Sequence, residues 1–191
     1  MPGLRYTEVQ LPETTGKGYG FHIQGELRFS DQHFLSDISL IQLIGSGDLL
    51  LPLPWSMSLT LRGQVAATYS DNPFTEIPAS LRFFAGGDRS VRGYAYQSLG
   101  PKDAAGEVIG GKHLLAGSIE LGKQLNQKWG LALFVDTGNA FDSWDGYTLK
   151  SGAGTGLRYA TPVGPIKIDL ASPLDQGKFS LRLHVGIGFG W

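Results

Sequence analysis

Between Trp55 and Ser70 the chain alternates almost without a break. Trp55, Met57, Leu59, Leu61, Val65, Ala67 and Tyr69 fall on one face, and Ser56, Ser58, Thr60, Arg62, Gln64, Thr68 and Ser70 on the other. Successive side chains of a β-strand point to opposite sides, so a period of two is a strand with two unlike faces. The apolar row carries no charge along its length and has aromatic residues at both ends. At about 15 residues the segment also exceeds the 9–11 that a tilted strand needs to cross a bilayer. Aromatic girdles around an uncharged band mark a membrane-spanning strand.

The same pattern recurs through the chain. Tyr19, Phe21, Ile23, Leu27 and Phe29 oppose His22, Gln24, Glu26 and Arg28, and a less regular strand from Ser36 to Leu51 is closed by Pro52 and Pro54. Leu115, Ile119 and Leu121 oppose Ser118, Glu120 and Gln124; Trp129, Leu131, Leu133 and Val135 oppose Gly130, Ala132, Phe134 and Asp136. Strands follow over Leu149–Thr161, Ile166–Leu170 and Phe179–Trp191. Eight strands result, nine if the short mixed segment Leu4–Gln10 is counted, and no segment has a helical period. A soluble sandwich or lipocalin-like barrel also alternates. Its core, however, would have to be lined by Arg62, Glu120, Arg158, Lys167, Asp169 and Arg182, which are residue types rarely buried without partners. A transmembrane antiparallel β-barrel inverts the arrangement, apolar outside and polar within, and is the fold class the chain implies.

Composition narrows the function. Net charge is −1, with no basic block, which argues against a nucleic-acid partner. There is no cysteine, so disulfide frameworks and thiolate metal sites are excluded. His22, His33, His113 and His184 have no metal-ligand spacing, and Gly152-x-Gly154-x-Gly156 lies within a strand and opens no helix, so it is not a nucleotide fingerprint. Asp136 to Asp142 misplaces the glycine of a calcium loop. Ser70-Asp71-Asn72 lacks the Ser-x-x-Lys that accompanies it in β-lactamases. Neither an enzyme nor a cofactor is expected. Met1-Pro2-Gly3-Leu4-Arg5 has neither a charged region nor an apolar core, so a secretory leader is expected outside this sequence.

One segment interrupts the alternation. Leu81 to His113 reads LRFFAGGDRSVRGYAYQSLGPKDAAGEVIGGKH, too long for a turn and too rich in aromatic anchors for a solvated linker. Its centre, Gly86-Gly87-Asp88-Arg89-Ser90-Val91-Arg92-Gly93-Tyr94, resembles the long loop of the bacterial outer-membrane insertases. The flanks Phe83–Asp88 and Tyr96–Pro101 resemble the TamA branch of that BamA/TamA superfamily. The likeness runs from about Pro12 to Trp191 and is densest between Leu81 and Leu115.

The resemblance implies the C-terminal half of a sixteen-stranded barrel, with the loop at about 81–112 folded into the lumen and with periplasmic POTRA domains outside this sequence. It implies that Arg92 pairs with Asp136 of the segment Phe134–Asn139 and that Phe134 packs against the loop. Gly152, Gly154 and Gly156 all face inward by parity; they either leave room for another backbone or form a flexible, curved strand. The ending His184-x-Gly186-x-x-Phe189-x-Trp191 matches the β-signal of outer-membrane proteins, an edge that an assembly machine recognises by strand addition. The function implied is non-catalytic assembly or translocation of outer-membrane proteins, autotransporters among them. It would act in the bacterial outer membrane, within its lipid bilayer, with a TamB-like partner anchored in the inner membrane. A two-partner-secretion transporter shares the loop motif without the Tyr96–Pro101 flank, and a plain channel or structural barrel needs no lumen loop. An unpaired strand edge in a bilayer costs several kcal/mol per exposed polar group, so the chain is expected to close on itself, pair with another chain, or belong to a longer one.

Overall fold

The computed structural model describes residues 2–10, 18–32, 38–162, 164–177 and 180–187. They form one nine-stranded antiparallel sheet in sequence order: β1 (Gly3–Gln10), β2 (Gly20–Ser30), β3 (Leu40–Leu53), β4 (Met57–Tyr69), β5 (His113–Gln124), β6 (Trp129–Phe141), β7 (Lys150–Tyr159), β8 (Ile166–Pro173) and β9 (Arg182–Ile187). The mixed Leu4–Gln10 segment is therefore a strand, paired along its length with β2. Among the described residues the only helical turns are two 3-10 turns, Phe74–Glu76 and Ala79–Leu81.

The sheet is inside-out relative to a soluble protein. On β6, Leu133 and Val135 are 61% and 52% exposed while Phe134 and Asp136 between them are 3% and 1% exposed. The inner face is thus where polar and charged groups are buried, and the outer face is largely apolar and suited to lipid. β6 has 13 residues, about 43 Å of strand, which tilted at about 40° spans roughly 33 Å, enough to cross the hydrocarbon. Aromatic residues sit at both limits of that band. Trp129 and Tyr159 approach to 4.6 Å at one end, and Phe141 stacks on Tyr147 at 4.5 Å at the other. Turns at the first end are tight (54–56 and 125–128), whereas the connection 70–112 leaves from the second.

Two boundaries differ from the sequence reading. Pro52 does not end the third strand; it sits within β3, opposite Ser58. Among the described residues β2 pairs with β3 only as far as Leu50, so Pro52 has one strand neighbour there and its missing N–H removes no ladder bond. Among the described residues the last strand covers Arg182–Ile187, with Ser180 and Leu181 ahead of it rather than in it; Phe179, Phe189 and Trp191 lie outside the described residues. The irregular third strand also resolves. Ile41 and Leu43 are exposed on the outer face, while Leu40 and Gln42 are buried on the inner one.

Candidate functional site

The connection between Tyr69 and His113 folds back over the inner face. Isolated bridges Phe83–Gly111, Ala85–Leu99 and Lys102–Val108 zip its two limbs together, and its own core of Ala85, Val91, Tyr94 and Leu99 packs against Leu114 of β5. Its tip is a tight turn: Gly87 N–H donates to the Val91 carbonyl and Ser90 N–H to that of Gly87. Gly86 and Gly87 both take positive φ there. Gly93 is held at φ +95° with the end of β8 so near that a Cβ would lie 2.8 Å from the Ser172 carbonyl carbon. Only glycine fits both demands.

Arg92 enters the sheet's inner face at 2% exposure. Its Nε and Nη2 form a fork on Asp136 at 2.7 and 2.8 Å, and its backbone N–H donates to the same carboxylate at 2.9 Å. Nη1 reaches Glu120 at 2.9 Å and Asp169 at 2.8 Å, and Nη2 also reaches Ser118 at 3.1 Å. All five guanidinium donors therefore have acceptors. The Phe134 ring lies beneath, 3.3 Å from the guanidinium carbon. Burial on its own would pull the Arg92 pKa down; the hydrogen bonds and charges of Asp136 and Glu120 outweigh it and leave the pKa raised. The cation is fixed.

The register explains how five strands supply one site. Ser118 and Glu120 of β5 stand opposite Asp136 and Phe134 of β6, which in turn oppose Gly152 and Gly154 of β7. Gly156 faces Asp169 of β8, and Asp169 faces His184 of β9. The glycines make the room. A methyl at Gly152 would strike the Arg92 carbonyl oxygen, and one at Gly154 would strike the Leu170 carbonyl oxygen and lie 2.6 Å from the Phe134 ring. A methyl at Gly156 would meet Asp169 and Arg158, and Asp169 is itself an acceptor of Arg92.

A family model described as the Omp85 superfamily domain matches residues 16–191. The chain belongs to the Omp85 superfamily. Among curated relatives of this Omp85 chain, the outer membrane protein assembly factor BamA of Nitratidesulfovibrio vulgaris is 33% identical over 116 residues, covering 56% of this chain and 14% of the relative. BamA of Neisseria meningitidis serogroup B is 31% identical over 164 residues, 65% of this chain and 20% of the relative. A SAM50-like protein of Schizosaccharomyces pombe is 27% identical over 192 residues, covering 90% of this chain and 38% of the relative. The crystal structure of BamA from Haemophilus ducreyi lacking POTRA domains 1–3 superposes with a TM-score of 0.70 at 22% identity, covering 96% of this chain and 40% of that one. This chain thus spans well under half the length of the relatives it matches, and its fold is that of an outer-membrane β-barrel.

Several residues that hold the Omp85 loop were not singled out by sequence reasoning. Arg158 reaches both Glu120 (2.8 Å) and Asp169, so two guanidiniums share carboxylates of β5 and β8. Parity placed Glu120, Arg158 and Asp169 inside, but nothing in the sequence says which of them meets Arg92. Gln42 of β3, fully buried, donates to Thr68 Oγ1 at 2.9 Å and to the Leu81 carbonyl at 2.7 Å. Arg82 donates to the Ile77 and Ile109 carbonyls at 2.8 and 3.1 Å and lies over the Phe74 ring. Tyr94 donates to Asp175 at 3.1 Å, and its pKa is pushed up to about 12 by burial and by that carboxylate. His184 accepts a bond from Gly93 N–H at 3.0 Å; its β-signal neighbour Gly186 lies on the same inner face, near Asp88.

Proposed function

We propose that this Omp85 chain is the C-terminal part of an outer-membrane protein assembly barrel that works without covalent chemistry, by pairing substrate strands at an exposed strand edge. The observation that carries the reading is the loop clamp. A buried arginine with every donor engaged, reaching carboxylates of β5, β6 and β8, fixes the inner side of a sheet whose last strand is paired on one side only among the described residues. An edge of unpaired N–H and C=O groups is a template for strand addition, and a wall braced from inside can present that edge without collapsing.

Within the superfamily the flanks Phe83–Asp88 and Tyr96–Pro101 favour the TamA branch, with POTRA domains preceding the barrel, a TamB-like partner and autotransporters among the substrates. The test is reconstitution of the full-length polypeptide in liposomes with an unfolded substrate barrel. Acquisition of protease resistance by the substrate is the expected result, and none above protein-free liposomes would refute the reading. Depleting the protein in cells separates the branches. Loss of displayed autotransporters with other barrels intact supports TamA; loss of most outer-membrane barrels supports BamA.

A further inference from the structure

We propose that His184 is a positioning residue that fastens the lumen loop to the edge strand β9, and that protonation of its imidazole unfastens it. Three observations on the inner face lead there. The outward residues of β9, Leu183, Val185 and Ile187, are more than half exposed, and among the described residues its ladder runs along β8 alone. His184 is the β9 side chain that reaches the loop, through Nε2 at 3.0 Å from Gly93 N. Gly93 directly follows Arg92, whose own N–H goes to Asp136 at 2.9 Å. Two consecutive amides therefore hold two strands, β6 through a carboxylate and β9 through an imidazole.

The chemistry at Gly93 makes the bond conditional. A backbone N–H can only donate, so Nε2 must offer a lone pair and the imidazole must be neutral with its proton on Nδ1. The imidazolium carries a proton on both nitrogens, and the acceptor is lost. The carboxylate at Asp136 has no such condition, so acid acts on one of the two fastenings. Gly93 is packed so closely against Ser172 at the end of β8 that its amide has little room to turn to another acceptor. The groups facing His184 carry both signs: Asp88, Arg89 and Arg92 from the loop, Asp169 and Lys167 from β8, Arg182 from β9, and His22, Asp48, Arg62 and Glu120 across a shared cavity of about 560 Å³. Between pH ~8 and ~5 an imidazole is the side chain that ordinarily changes charge, and His184 is the imidazole bonded to Gly93.

The consequence for strand insertion rests on the function proposed above; the fastening itself does not. The experiment is hydrogen exchange on the full-length protein in lipid nanodiscs at pH ~8 and ~5, corrected for intrinsic rates, following the peptide that contains Gly93. Wild type should lose protection about three- to tenfold on acidification, the worth of one hydrogen bond. His184→Gln keeps an acceptor that does not titrate and should stay protected at both values. His184→Leu should be unprotected at both. Equal protection of wild type at the two pH values, or the same acid response in His184→Gln, would overturn the proposal. Substrate insertion by the same preparation tests the functional reading separately.

Discussion

Replacing Arg92 with alanine should detach the loop and leave the sheet intact. The substitution deletes five donor bonds at once, but the carboxylates do not suffer equally. Glu120 and Asp169 keep Arg158. Asp136, 1% exposed, keeps only the backbone N–H of residue 92, so the uncompensated charge is concentrated there. Breaking a buried pair by removing one partner costs about 3–5 kcal/mol, and Arg92 is itself only 2% exposed. The ladders of β5 to β8 do not involve Arg92, so the cost falls on loop seating. That equilibrium should move by roughly 10²- to 4 × 10³-fold. Hydrogen exchange over 70–112 reads the seating, and gel mobility of the unheated protein reads the barrel. Arg92→Lys should lie between, since an ammonium supplies charge without the fork. Adding Asp136→Ala to Arg92→Ala removes the stranded carboxylate and should recover part of the protection. Loop protection within about twofold of wild type in Arg92→Ala would refute the clamp, and so would strictly additive losses in the double variant.

Three further outcomes follow from the same geometry. Gly152→Ala should unseat the loop, because the methyl collides with the Arg92 carbonyl, whereas Gly63→Ala, where a Cβ meets nothing within 4 Å, should not; exchange over 85–100 compares them. Gln42→Ala removes the donor to Thr68 and Leu81 and should loosen the loop's first limb, 70–82, by about 1–3 kcal/mol; proteolysis within that limb checks it. Tyr94 ionises at about 12 in the folded protein against about 10 unfolded. A raised acid pKa means its contribution is complete below pH ~10 and lost as the pH rises through ~12. Phenolate absorbance should show this late phase in wild type and not in Tyr94→Phe.

Parity was legible in the sequence because it is local. Successive side chains of a strand alternate whatever surrounds them, so the exposure of Leu133 and Val135 and the burial of Phe134 and Asp136 follow from their positions. The long connection declared itself by aromatic and glycine content, and the resemblance supplied Arg92 and Asp136 as partners. Strand limits were less legible where a neighbour ends, as at Pro52, because the cost of a missing N–H depends on whether a second strand is beside it.

Which charges meet was decided by the tertiary structure. Arg92 is 28 residues from Glu120 and 77 from Asp169, and only the joint register of β5 to β8 brings all of them to one guanidinium. The three glycines of β7 look equivalent in sequence, yet one clears a carbonyl of the loop, one a carbonyl of β8 and an aromatic ring, and one an ion pair. His184 reads as part of a terminal strand signal, and its bond to Gly93 exists because the loop returns across the inner face to β9. Alternation fixes that a strand has two unlike faces. Burial of a charged row is favourable only when another part of the chain brings the opposite charge to it, and that depends on the path of the loop.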